Sequence, residues 1–131
     1  MKSVKRTALL FFVLALSLLS SAQTPQPKIS PVGTWDGFAE NQGNQDELTV
    51  TIEKKGETYA GKVKDRMGMF PDVDIQNFVW KDNKVSFEFP GNMNSMAFTI
   101  KADLTLTEKT MDGTWTMAED GSSGAVELTR K

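Results

Sequence analysis

Any reaction carried out by this chain falls to carboxylates, hydroxyls and amines, because its 131 residues include no histidine and no cysteine. That excludes Ser-His-Asp and Cys-His nucleophile systems, thiol redox chemistry and ordinary zinc sites. Two carboxylate pairs stand close in sequence. Asp72 and Asp74 are spaced i and i+2, which puts both side chains on one face of an extended segment, and Glu119 and Asp120 are adjacent. Paired carboxylates can serve as general acid and base, as in glycoside hydrolysis, or hold Ca2+. No loop carries the spaced oxygen ligands of an EF-hand, and charged pairs in loops are ordinarily just solvated. The expectation is a protein that is not an enzyme and has no metal and no cofactor.

Binding is the other chemistry on offer. Arg66–Pro71 and Gly91–Met96 are loop-like stretches that carry Met67, Met69, Phe70 and Met93. Methionine is flexible and polarisable, and suits surfaces that adapt to varied partners. Tyr59 adds a hydroxyl on a strand face expected to point inward. These five residues are the candidate ligand or partner contacts. The alternative is that the apolar loop residues fold inward and cork the domain.

The elements that must position them are strands. Leu48, Val50 and Ile52 alternate with polar residues, as do Val85, Phe87 and Phe89, and then Met96, Phe98, Ile100 and Ala102. Period two with β-branched and aromatic enrichment means strands with one buried face. Eight strands are expected, roughly over 33–39, 47–54, 58–65, 73–80, 84–90, 95–106, 110–118 and 124–131. Short turns make successive strands antiparallel neighbours, since a parallel pair needs a crossover of about a dozen residues. The fold predicted is all-β: an eight-stranded antiparallel up-and-down barrel, closure of which removes exposed edges, with a two-sheet sandwich as the alternative.

The connections alternate in character. Residues 54–57, 81–83 and 107–109 form tight charged turns, whereas 40–46, 66–72, 91–94 and 119–123 are longer or richer in Gly and Met. In a meander the second set gathers at one end, so Met67, Met69, Phe70 and Met93 share a rim. Lys54, Lys55, Glu57, Lys81, Asp82, Glu108 and Lys109 lie at the other.

Gly33-Thr34-Trp35 opens the first strand and is echoed by Gly113-Thr114-Trp115; Arg130 lies on the last. Gly33, Trp35 and Arg130 resemble the signature of the calycin superfamily, which includes lipocalins, fatty-acid-binding proteins and the avidins. The chain also resembles small secreted bacterial β-barrel domains. The resemblance implies that Trp35 plugs the closed end of the barrel with Arg130 packed over it. No helix-turn-helix follows the first strand and no helix follows the last, which departs from fatty-acid-binding proteins and ordinary lipocalins and leaves an avidin-like plan. A biotin-type site would need several inward hydroxyls and amides. Only Tyr59 supplies one, which excludes biotin.

Residues 1–22 read as a signal peptide. Lys2, Lys5 and Arg6 precede a 12-residue apolar run from Ala8, and small residues end at Ala22. A membrane anchor, the alternative, needs about 20 apolar residues. Residues 23–31 are a proline-rich linker and 32–131 a single domain. The chain is thus expected to be exported, periplasmic or extracellular, with no membrane span in the mature part. Loss of the leader leaves 12 basic and 17 acidic side chains and no basic stripe, which speaks against nucleic acid as a partner. The expected function is a non-catalytic binding module for an apolar or amphipathic small molecule at the open rim. The alternative is a protein-interaction or inhibitor domain with a filled core. The inward inventory leaves filled or hollow open, since Gly37, Gly61 and Gly113 on the same face could either leave room or bend the strands. With no histidine, stability should change little between pH 5 and 8.

Overall fold

The structure, a computed structural model, describes residues 29–131; the expected signal peptide and most of the linker lie outside the described residues. Alternation of buried and exposed side chains builds one antiparallel sheet from β1 (Gly33–Asn41), β2 (Asn44–Lys55), β3 (Thr58–Asp65), β4 (Val73–Asp74), β5 (Gln76–Lys81), β6 (Lys84–Met93), β7 (Met96–Leu106), β8 (Thr110–Met117) and β9 (Ser123–Arg130). The strand order is β4-β3-β2-β1-β9-β8-β7-β6-β5. First and last strands pair, Trp35 opposite Arg130, so the meander curls into a nearly closed barrel. Among the described residues no helix is long and apolar enough to cross a membrane.

Nine strands stand where eight were expected. The segment over 73–80 splits at Ile75. Val73 and Asp74 pair with β3, and the Ile75 N–H still donates to Gly61 O at 2.9 Å. From Gln76 the chain joins β6 instead, through an irregular stretch in which Asn77 has φ 53°. The sheet's two edges, β4 and β5, are therefore consecutive pieces of one extended segment. Beyond the split, β3 and β5 are joined by side chains: the Tyr59 ring lies 5.3 Å from Phe78 and 5.8 Å from Trp80.

Two loops expected to be long are tight. Positive φ at Gln42 and Gly43, and again at Asn94 and Ser95, closes two-residue turns of the kind that suits twisted hairpins. The β1–β2 and β6–β7 hairpins accordingly run further than the sequence suggested. Only 66–72 and 118–122 are extended connections at that end.

The end where β1 begins is sealed. Trp35 is fully buried, and its Nε1 donates to Pro31 O at 2.9 Å. The Arg130 guanidinium stacks 4.2 Å above the indole and donates to the carbonyls of Val32 (2.8 Å), Ser30 (2.6 Å) and, from Nε, Glu108 (3.0 Å). One cation thus covers the ring face and ties the strap at Ser30–Val32 to the β7–β8 turn. Ile52, Leu106, Met111 and Leu128 fill the space above. The inward glycines are bends: a Cβ at Gly37, Gly61 or Gly113 would collide with a carbonyl of the neighbouring strand (Glu127, Thr51 and Asp103 respectively).

Candidate functional site

The opposite half of the barrel is hollow. A cavity of about 80 Å³ lies between the level of Val50, Phe87 and Leu128 and the open rim. Its walls are apolar, from Leu48, Val63, Phe89, Ile100, Trp115 and Val126 among others; the polar side chains on it are Asn41 and Asp46. The Trp115 indole N–H is spent on Glu40 O at 2.8 Å, so Trp115 presents only ring to the cavity.

The 66–72 connection roofs this space. Phe70 is buried, and its ring meets Phe89 at 4.9 Å and Phe98 at 5.9 Å, both edge-on. Gly91 makes the seat, since a Cβ there would collide with the Phe98 ring and come within 2.6 Å of Phe70. The roof is hydrogen-bonded at its root. Phe70 N–H donates to Asp65 Oδ1 (2.9 Å), Asp65 N–H to Phe70 O (3.2 Å), and Arg66 N–H to Glu47 O (3.0 Å).

Met69, Phe70 and Met93 are brought together on the cavity lining, and Trp115 lies below them. Met67 is at the same rim but turned outward, 67 % exposed. Met93 and Met96 are exposed on the neighbouring hairpin. Tyr59 is not brought to this group; it packs on Phe78 and Trp80 near the sealed end. Gly33, Trp35 and Arg130 build the sealed end, where a Cβ at Gly33 would come within 3.1 Å of the Arg130 guanidinium.

The carboxylate pairs named from sequence are engaged elsewhere. Asp74 meets Lys62 at 3.0 Å in an exposed ion pair, and Asp72 is exposed with φ 62°. Glu119 accepts the Thr99 N–H, and Asp120 accepts both the N–H and the hydroxyl of Ser122, which hold its carboxyl below the usual range.

A different pair meets at the mouth of the cavity. Asp46 on β2 is only 7 % exposed and lies within hydrogen-bonding reach of Asp65 on β3. Asp46 Oδ1 and Asp65 Oδ2 are buried without a donor. Burial, reinforced by the Asp65 carboxyl and more weakly by Glu47, pushes Asp46 from 3.8 up to about 7, while the Met67 backbone N–H pulls the other way. A proton shared between the two carboxyls would satisfy both orphaned oxygens. This removes the ground for the expectation of flat stability between pH 5 and 8. Asp46 continues the inward series Leu48, Val50, Ile52, and Asp65 continues Val63; the signal was in the alternation, one residue before the expected strand start.

No protein-family model matches the chain, and no curated protein or solved structure resembles it closely enough to register as a match.

Proposed function

We propose that the protein is an exported, non-catalytic binding module of calycin-like plan, periplasmic or extracellular, which takes a small apolar or amphipathic molecule at the open rim of its barrel. The observation that supports this reading is the apolar cavity beneath Met69, Phe70 and Met93. Ligands of small barrels enter at the mouth, and an apolar hollow with a few convergent polar groups is the usual form of such a site. Hexan-1-ol, followed by titration calorimetry, is a suitable first probe. Replacement of both Met69 and Phe70 by Ser should abolish the heat of binding, and Met93→Ser, at a surface residue, should weaken it without touching the buried ring. Charge reversal of Lys54 and Lys81 at the sealed end should leave it intact. Binding lost only on that reversal would move the site to the other end.

A second reading, a protein-interaction or inhibitor domain, is favoured by the exposure of Met67, Met93 and Met96 at the same rim (67, 44 and 73 %). Depleted charge with Met at a surface is what an interface core looks like. A co-purifying polypeptide, with no retained small molecule in a mass spectrum of the protein's extract, would favour it.

A further inference from the structure

The Asp46–Asp65 pair bears on which molecules the cavity admits. Taking a carboxylate out of water costs several kcal/mol unless a proton, a cation or donated hydrogen bonds compensate it. No protein cation does so here. Among the described residues the ion pairs are Lys62–Asp74, Arg66–Glu47 and Lys131–Asp36, and none involves Asp46 or Asp65. Arg66, the basic residue next to Asp65 in sequence, points its guanidinium to Glu47 at 3.4 Å on the exposed outer surface. Asp46 is over nine-tenths buried, lines the cavity, and has an oxygen with no donor. Even with one proton shared between them the two carboxyls carry a negative charge, which no cation among the described residues balances.

We propose that the cavity binds a small primary amine with a hydrocarbon body, its ammonium held by the carboxyl of Asp46, with the Asp65 carboxyl behind it, and its body against Phe89, Ile100, Trp115 and Val126. This inference rests on the binding reading above and names the ligand class. An ammonium offers three N–H donors and a charge opposite to that of the pair, and hydrogen bonds between charged partners are roughly twice as strong as neutral ones. An alcohol offers one donor and no charge. A carboxylate brings a like charge to a buried anion, so the site selects against fatty acids. Size sets a further limit. About 80 Å³ is roughly half of the ~150 Å³ that encloses a benzene ring, so the cavity takes a short alkyl chain, and a hexyl body leaves part of its length at the open rim.

The test is a matched series of hexylamine, hexan-1-ol and hexanoate titrated into the intact protein at pH 8 and read by calorimetry and by tryptophan fluorescence, to which Trp115 on the cavity wall contributes. The amine should bind at least about tenfold more tightly than the alcohol, and hexanoate more weakly than either. In Asp46→Asn the ratio of amine to alcohol affinity should fall at least severalfold, the Asp65 carboxyl remaining nearby, while in Lys54→Glu it should keep its wild-type value. Equal wild-type affinities for amine and alcohol, or tightest binding of hexanoate, would overturn the inference and leave the binding reading in place. An undiminished amine preference in Asp46→Asn would also overturn it. No binding by any of the three would overturn both. The wild-type series decides the matter even if the substituted protein folds poorly.

Discussion

At the residue scale the molecule is organised by two tryptophans with opposite tasks. Trp35 and Trp115 stand in the same Gly-Thr-Trp sequence. Trp35 comes third in β1 and reaches the sealed end, whereas Trp115 comes sixth in β8 and reaches the hollow half. Trp35 is the more constrained, being fully buried, hydrogen-bonded to Pro31 and covered by Arg130. Trp35→Ala should cost about 3–5 kcal/mol in chemical denaturation, as large aromatic truncations in cores do. A loss under about 1 kcal/mol would show that the sealed end does not depend on the indole. Arg130→Ala should cost less than Trp35→Ala, because the stack and the three carbonyl bonds are partly open to water and water can replace the latter. Both outcomes can be read from urea midpoints on the same protein.

At the element scale the open end depends on how two hairpins and one loop meet. Gly91 in β6 leaves the gap that the rings of Phe70 and Phe98 occupy. Its φ is not in the left-handed region, so a methyl there acts by crowding alone. Gly91→Ala should destabilise the fold by about 1–3 kcal/mol, the usual cost of overpacking, with the change seen as a lowered urea midpoint at unchanged slope. An unchanged midpoint would mean that the roof yields freely. Much of this architecture was legible in the sequence. Alternation located the strands and the antiparallel meander, and it grouped Met69, Phe70 and Met93 at one rim. The split at Ile75 was missed although it leaves a trace: the inward phase runs on odd numbers at Val73 and Ile75 and on even ones at Phe78 and Trp80. The Asp46–Asp65 contact was missed because charged residues next to a Gly-Asn-rich stretch read as loop. A tight turn at Gln42-Gly43 instead starts β2 at Asn44, three residues before the expected strand start. Pattern gives the face of a residue; which carboxylates meet across strands depends on register, which turn geometry fixes.

At the scale of the whole molecule, one half of the barrel is packed, while the other half holds a cavity with Asp46 on its lining and Asp65 beside it. Protonation of this pair bears on the stability of the fold. Asp46, pushed up to about 7 by burial and then by Asp65, keeps its proton in the folded state at pH values where the unfolded chain, with its carboxyl near 3.8, has released it. Between about pH 4 and 7 the folded state therefore binds more protons, and stability falls as pH rises. The contribution is fully present below about 4 and gone above about 7. Its slope is at most about 1.4 kcal/mol per pH unit. The charged groups facing Asp46 act in one direction, against only the Met67 backbone N–H: Asp65 from β3 and Glu47 from β2 are both acidic, and the nearby Arg66 is paired outward with Glu47. Asp120, held below the usual range, and Lys62, held above it, titrate outside this window. Urea midpoints should accordingly drop from pH 5 to pH 8 by the equivalent of about 1–3 kcal/mol. In Asp46→Asn, whose amide can donate to Asp65 in place of the shared proton, the curve should be flat over the same range and lie above the wild type at pH 8. A wild-type midpoint that stays constant from pH 5 to 8 would show that the pair carries no extra proton in the folded protein.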